Sequence, residues 1–295
     1  MENIIPTQVQ IETVAGYCNS KCIMCPIARS RKKEIMTNDI FEKIVYKLLP
    51  IKNNIKIFTL LGLGETLLDP HTSEKIKIAK DHNFTEVGIF TNGMNLTEDQ
   101  TIQLLSAGID VFIFSIDGFS SAVYEKIRMG LKLERIINNI DFLLKEREKQ
   151  DKNVKIIIRF TRQEINYYEW DDFLKFWSKK LNKKYGDMIL AYDVNNAGDD
   201  LQKKPKDAKI LPNIYCGEIY KFKIFSDGEI GFCCGDQFGE IHIGNILYED
   251  PIELYNHALF KHYREEIKKG NISNLKLCEN CTVATSVRES KHIFL

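Results

Sequence analysis

Six short runs of apolar, largely β-branched residues recur along the first two-thirds of the chain, with helix-patterned segments between them. This alternation constrains the fold more than any other feature. The runs are Val9 to Val14, Ile55 to Leu61, Glu86 to Phe90, Val111 to Ser115, Val154 to Phe160 and Met188 to Tyr192. Strands of this character are buried on both faces, as in a parallel sheet covered by helices. Between them, Thr37-Asn38 caps a helix from Ile40 to Leu49 that stops at Pro50. Thr97 and Gln100 form a capping box ahead of a helix ending near Gly108, and Leu133 to Lys149 carries Ile136, Ile137, Ile140, Leu143 and Leu144 on one stripe. The pattern predicts an α/β fold, a partial (β/α)6 TIM-like barrel whose right-handed crossovers bring the loops after the strands to one mouth.

The pattern breaks after Tyr192. Asn195-Asn196-Ala-Gly-Asp-Asp and the lysine-rich stretch Lys203 to Lys209 read as a linker, which divides the chain into a core domain, 1–200, and a smaller module, 201–295. The module is expected to hold a hairpin, Lys221 to Phe225 and Glu229 to Cys233, turning at Ser226-Asp227-Gly228. A helix from Pro251 to Lys269 and Cys278-Glu-Asn-Cys281 follow.

Lysine plus arginine equals aspartate plus glutamate, 41 each, so no global field favours nucleic acid or anionic lipid as a partner. The start of the chain lacks the basic and apolar regions of a secretion signal, and no apolar run approaches the ~18 residues of a membrane span. A cytoplasmic protein is expected. In that compartment eight cysteines read as metal ligands or catalysts rather than disulfides.

The cysteines form two groups. The first, Cys18-Asn-Ser-Lys-Cys22-Ile-Met-Cys25, follows the first strand with C-x3-C-x2-C spacing. A cubane iron–sulfur cluster takes four thiolates, so three leave one iron open to another ligand. A zinc site short of one ligand and a disulfide pair are the alternatives. The spacing resembles that of the radical S-adenosylmethionine (SAM) superfamily. The resemblance implies that the open iron chelates the methionine moiety of SAM. An external one-electron reductant such as flavodoxin or ferredoxin then drives cleavage to a 5'-deoxyadenosyl radical, which abstracts hydrogen from C–H bonds. Leu61-Gly62-Leu63-Gly64-Glu65-Thr66 stands where the family carries a Gly-Gly-Glu-Pro motif, which implies cofactor contacts at Gly64 and Glu65, with Thr66 replacing the usual proline. A carboxylate there suits the ammonium group of SAM. Thr91-Asn92-Gly93 and Ser115-Ile-Asp117-Gly118 close the third and fourth strands and add Asn92 and Ser115. Tyr124-Glu-Lys-Ile-Arg128 resembles the helix whose arginine pairs with the cofactor carboxylate, and Met24 holds the position whose carbonyl meets the adenine. Arg159, in an apolar strand, is a further cofactor contact or half of a structural ion pair.

The second group, Cys216, Cys233, Cys278 and Cys281, suffices to ligate an auxiliary [4Fe–4S] cluster, with zinc as the alternative. It resembles the Twitch module, a shortened relative of the SPASM domain. The absence of a C-x2-C-x5-C-x3-C run predicts one auxiliary cluster, making two [4Fe–4S] clusters in all. Cys234 is left over. A thiol there can donate hydrogen to a substrate radical and invert a carbon, as the resemblance to sugar and peptide epimerases implies; alternatively it packs inertly, or is itself the ligand with Cys233 spare. Oxidation of an alcohol to a ketone through the auxiliary cluster competes with this reading. Asp236 orients or deprotonates a hydroxyl, or caps a turn. The expected substrate is a sugar, aminocyclitol or nucleotide-linked sugar. Peptide modification is a third reading, which the start of the first strand within about ten residues of the chain start disfavours, since it leaves no room for a leader-binding domain. A non-catalytic cluster- or zinc-binding module is the fourth. The run Arg29-Ser-Arg31-Lys32-Lys33 reads as a phosphate contact or a solvated loop, and Tyr167-Tyr168-Glu-Trp170 as helix packing.

Overall fold

The computed structural model describes residues 2–194, 216–279, 281–285 and 291–294. Six parallel strands cross one sheet in sequence order: β1 (Gln8–Ile11), β2 (Ile57–Leu60), β3 (Val87–Thr91), β4 (Val111–Ser115), β5 (Lys155–Arg162) and β6 (Met188–Asp193). Each lies within the run expected of it, give or take a few residues. The crossovers carry α1 (Asn38–Leu48), α2 (Thr72–Asp81), α3 (Glu98–Ala107), α4 (Ser121–Ile127) with α5 (Leu133–Lys149), and α6 (Trp170–Lys180). This is the α/β partial barrel that the alternation predicts.

Local chemistry sets the helix ends. Thr37 Oγ1 accepts the Ile40 N–H at 3.3 Å at the start of α1, and Thr97 Oγ1 accepts that of Gln100 at 3.2 Å at the start of α3. The reciprocal half of the capping box is not made, because the Thr97 N–H donates to the Asn95 carbonyl instead. Gly108 ends α3 at φ +85°, a left-handed conformation that favours glycine. The core lies between the helices and the outer face of the sheet, where Phe41, Ile44, Ile140, Leu143, Phe160 and Phe173 are wholly buried. Burying each such side chain contributes about 1.5–3 kcal/mol.

The strands depart from expectation on their inner face. Alternate β5 residues Ile157, Arg159 and Thr161 are only half-buried, because the inside of the barrel opens onto a cavity. A run that reads as buried on both faces therefore has one face reserved for a ligand.

The C-terminal chain joins the same sheet. β7 (Phe222–Ile224) and β8 (Ile230–Gly231) form the expected hairpin, with Gly228 in its turn at φ +84°. β7 pairs in parallel with β1, matching Val9 with Phe222 and Gln10 with Lys223. At the far edge β9 (Lys291–Phe294) pairs antiparallel with β6. Both free edges of the barrel sheet are thus covered, which removes unpaired N–H and C=O groups.

The helix expected from Pro251 to Lys269 is two helices, α7 (Pro251–Tyr255) and α8 (Ala258–Lys269). The break is at Asn256, whose side chain bonds both the N–H and the C=O of Ile4 at 2.9 and 2.8 Å, tying down the N-terminal segment. His257 then caps α8 by accepting the Leu259 N–H. The expected linker, 195–209, and the domain boundary at 200/201 lie outside the described residues.

Candidate active site

The triad occupies the loop after β1, which several short contacts fix to the barrel. Residues 21 and 22 pair antiparallel with 128 and 129, and Ser20 Oγ donates to the Met129 carbonyl at 3.1 Å. Asn92 Nδ2 donates to Asn19 Oδ1 at 2.7 Å, and Asn19 in turn donates to Asn95 at 3.0 Å. Asn92 thus acts on the triad loop from the end of β3. Burial pushes the Cys18 thiol up to about 11, with the nearby Glu65, Cys22 and Cys25 adding to the effect. Three thiols on one short loop fit a cluster that leaves one iron open, since bound metal deprotonates the thiols that coordinate it.

The loop after β2 zips against this segment. The Glu65 N–H donates to the Tyr17 carbonyl at 2.9 Å and that of Gly16 to Leu63 at 2.8 Å. A Cβ on Gly64 would stand 2.4 Å from the Val14 carbonyl oxygen, so only glycine fits. Glu65 is buried, and its carboxylate accepts from Thr91 Oγ1, the Asn92 N–H at 2.8 Å and the Leu67 N–H at 3.2 Å. Burial raises its pKa against these donors. Glu65 therefore braces the loops after β2 and β3 against each other.

Arg128 lies beside the triad, with Nη1 3.6 Å from Cys22 Sγ, and its other nitrogens grip the buried Asp117 carboxylate at 2.7 Å. Burial opposes its charge, but Asp117 outweighs burial and raises its pKa. Asp117 also accepts the Thr161 N–H at 2.7 Å, so one carboxylate aligns β4, β5 and the arginine. Its position at the end of a strand ahead of the Arg128 helix was the available signal. Ser115 ends β4 in register with Arg159, and Met24 Sδ lies 4.0 Å from Gln163 Nε2.

In the module, Cys216, Cys233, Cys278 and Cys281 come from distant points in the sequence into range of one another's charge, although among the described residues they are not drawn together into a formed metal-binding group. The charge of Cys278 and Cys216 is felt at Cys233, and that of Cys281 at both Cys278 and Cys216. Burial raises Cys233 and pushes Cys278 up to about 12. This donor set fits a cluster fully ligated by protein. Cys234 differs from its neighbour in lining the barrel cavity. Asp236 is 2% exposed, and its two oxygens accept the N–H groups of Phe232 at 3.3 Å and Glu240 at 2.7 Å. It clamps the loop after β8 and does not line the cavity.

Within the basic run after the triad Arg29 and Lys33 are exposed, as a solvated loop predicts, whereas Arg31 and Lys32 form a clamp. Arg31 bonds both oxygens of Asp227, at 3.3 and 2.8 Å, and Glu229 at 2.7 Å, while Lys32 pairs with Asp227 at 2.6 Å. Arg29 and Arg31 lie over the Phe238 and Phe225 rings. Tyr167 and Tyr168, expected to pack, are 51% and 74% exposed, whereas Trp170 packs as expected against Phe160 and Phe173, and the buried Glu169 accepts the Phe119 and Ser120 N–H groups.

The cavity has a volume of about 350 Å³. It is bounded by the Gly62-Leu63 loop, the inner face of β5 and β6, and, from the module, Lys221, Lys223 and Cys234.

Fold and sequence together place three cysteines in the loop after the first barrel strand and four more, with Cys234 beside them, in the C-terminal module. The Radical SAM superfamily matches residues 13–160 and an iron-sulfur cluster-binding domain, SPASM, matches residues 216–282. The chain belongs to the radical SAM superfamily, and its cofactors are S-adenosylmethionine and two [4Fe–4S] clusters. It is 31% identical over 132 residues to a probable GTP 3',8-cyclase of Methanococcus maripaludis, covering 44% of this chain and 43% of that one. Over 110 residues it is 29% identical to the tungsten-containing aldehyde ferredoxin oxidoreductase cofactor-modifying protein of Pyrococcus furiosus, covering 37% and 30%. The chain thus spans less than half the length of these relatives. Its fold resembles BtrN in complex with AdoMet and 2-DOIA (TM-score 0.62, 17% identity, 95% and 94% of the chains). It also resembles Streptococcus suis SuiB (0.70, 16%, 93% and 72%) and anSMEcpe with bound AdoMet (0.63, 18%, 94% and 89%). Among the described residues no helix is long and apolar enough to cross a membrane.

Proposed function

We propose that this enzyme epimerises an alcohol-bearing carbon of a sugar-type small molecule, with Cys234 as the hydrogen donor. The observation that supports it is the position of Cys234, next to a cluster cysteine yet lining the cavity. When bound, SAM and the triad cluster supply the hydrogen-abstracting radical. Cys18, Cys22 and Cys25 would hold that cluster, with SAM contacts from Gly64, Glu65, Asn92, Ser115, Arg128 and the Met24 carbonyl. The Gly62-Leu63 loop, packed on the triad segment, brings the radical source to one side of the cavity. Cys234 approaches from the module. Transfer of its S–H hydrogen to the substrate radical makes a C–H bond on the inverted face and leaves a thiyl radical. One electron from the external reductant and one proton restore the thiol. Burial raises the Cys234 pKa well above that of a free thiol, so it carries the hydrogen it must give.

The test is turnover of candidate sugars in deuterated buffer under anaerobic conditions, read by mass spectrometry in wild type and Cys234→Ala. An isomeric product heavier by one deuterium, absent with the variant, supports epimerisation. A product lighter by two hydrogens, made equally by the variant, refutes it in favour of oxidation to the ketone.

A further inference from the structure

Two of the cations that line the cavity have no carboxylate partner among the described residues. Arg159, on the inner face of β5, is held between aromatic rings, its guanidinium carbon 5.3 Å from the centre of Phe90 and 5.1 Å from that of Tyr192. Lys223, on the cavity side of β7, rests over Phe225 at 4.6 Å and reaches the Asp236 carbonyl at 3.5 Å. Rings and a carbonyl fix a cation without cancelling its charge. The third cation, Lys221, is already paired, with Glu218 at 2.5 Å. The lining therefore carries an excess of positive charge in a chain whose net charge is zero. Burial pulls the Arg159 pKa down, outweighing the pull of Tyr192 and of the more distant Asp117 and Glu218 carboxylates, none of which forms an ion pair with it. The residues that brace the triad side, Glu65, Asn92, Asp117 and Arg128, do not line this cavity, whereas residues of the module do. Arg159 and Lys223 therefore face the space where substrate meets Cys234.

Resting on the functional reading above, we infer that the substrate carries an oxyanion, a phosphate or a carboxylate, which Arg159 and Lys223 bind. The guanidinium fork suits a two-point hold on such a group, and Lys223 adds a point charge from a separate element. The register of β7 on β1 sets Lys223 beside Gln10, which also lines the cavity. A polar sugar with an acidic substituent satisfies the site. A polyamine such as an aminocyclitol adds like charge to a lining already in positive excess and is selected against.

The anaerobically reconstituted enzyme is titrated calorimetrically with inorganic phosphate and, separately, with acetate. Saturable binding of either anion, weakened about tenfold or more by Arg159→Gln and by Lys223→Gln and retained by Arg159→Lys and Lys223→Arg, supports the inference. Preference for phosphate or for acetate identifies the phosphate or the carboxylate as the source. No saturable binding, binding indifferent to all four substitutions, or one-for-one displacement of the anion by S-adenosylmethionine overturns it. Cleavage of S-adenosylmethionine by reduced wild type without substrate tests the parent reading separately. If cleavage fails while phosphate binds through Arg159, the catalytic reading falls and the anion site stands; the converse result removes only the anion site.

Discussion

Replacing Arg31 by alanine tests whether the basic run holds the module onto the barrel. The side chain is 16% exposed, makes three charge-assisted contacts of 2.7 to 3.3 Å to Asp227 and Glu229, and covers the Phe225 ring at 4.8 Å. Breaking a fully buried ion pair costs about 3–5 kcal/mol, and an exposed pair is worth about 0.2–1 kcal/mol. Arg31→Ala falls between these, because Lys32 still partners Asp227 at 2.6 Å. The expected loss is about 2–3 kcal/mol, including the stacking on Phe225. Asp227→Ala should cost a similar amount, since Arg31 keeps Glu229 but Lys32 and the Glu229 N–H also lose their partner. A double-mutant cycle should return a coupling of about 1–2 kcal/mol that persists in part at high salt, because the pair is mostly shielded from solvent. Denaturant unfolding of the anaerobic protein, followed by far-ultraviolet circular dichroism, supplies these numbers, and cluster absorbance reports whether the module opens first. An Arg31→Ala protein as stable as wild type, or a coupling indistinguishable from zero, would refute the clamp.

Burial holds the Glu12 carboxyl above its ordinary pKa even though Oε1 accepts the Leu63 N–H at 2.8 Å. The folded state thus binds the proton more tightly than the unfolded one, and wild type loses stability as pH rises from about 4.3 through the folded pKa. Glu12→Gln should match wild type near pH 4 and melt higher above that window; a melting difference that shrinks as pH rises contradicts this. Asp117→Asn strips the buried Arg128 of its counter-charge and should destabilise the protein by about 3–5 kcal/mol, measured by thermal melting, with a loss under about 1 kcal/mol counting against the pair. Cys278→Ala should lose about half of the bound iron and Cys234→Ala almost none; equal losses would make Cys234 a ligand.

The barrel is legible in the sequence because its signals are local. A parallel strand buried against helices declares itself in a handful of residues, as at Val111–Ser115, and Thr37 and Gly108 mark helix ends by their own chemistry. The triad is equally plain, since all three thiols fall within eight residues. What escapes depends on partners far away in sequence. Nothing near Asn256 says that Ile4, some 250 residues distant, interrupts its helix. The charges of Arg31 and Lys32 read as solvated until Asp227 and Glu229 are placed against them. Lys223 alternates with the apolar Phe222 and Ile224, a pattern that reads as a solvent face, and becomes a cavity wall only because β7 extends the barrel sheet.

That extension explains how one edge strand organises both metal-binding segments. β1 runs directly into the triad loop, and β7, paired to it, leads through the hairpin to Cys233 and Cys234. The same register sends Phe222 and Ile224 into the core and Lys223 into the cavity. A slip of one residue would bury the lysine and expose both apolar side chains, so the core that stabilises the module also fixes which residues face the substrate. Arg31 adds a second tie, from the loop just beyond the triad to the hairpin turn. With both ties in place, the separation between the triad loop and Cys234 is set by backbone pairing and the Arg31 ion pairs rather than by a flexible joint, which is the control that the proposed hydrogen transfer from Cys234 requires.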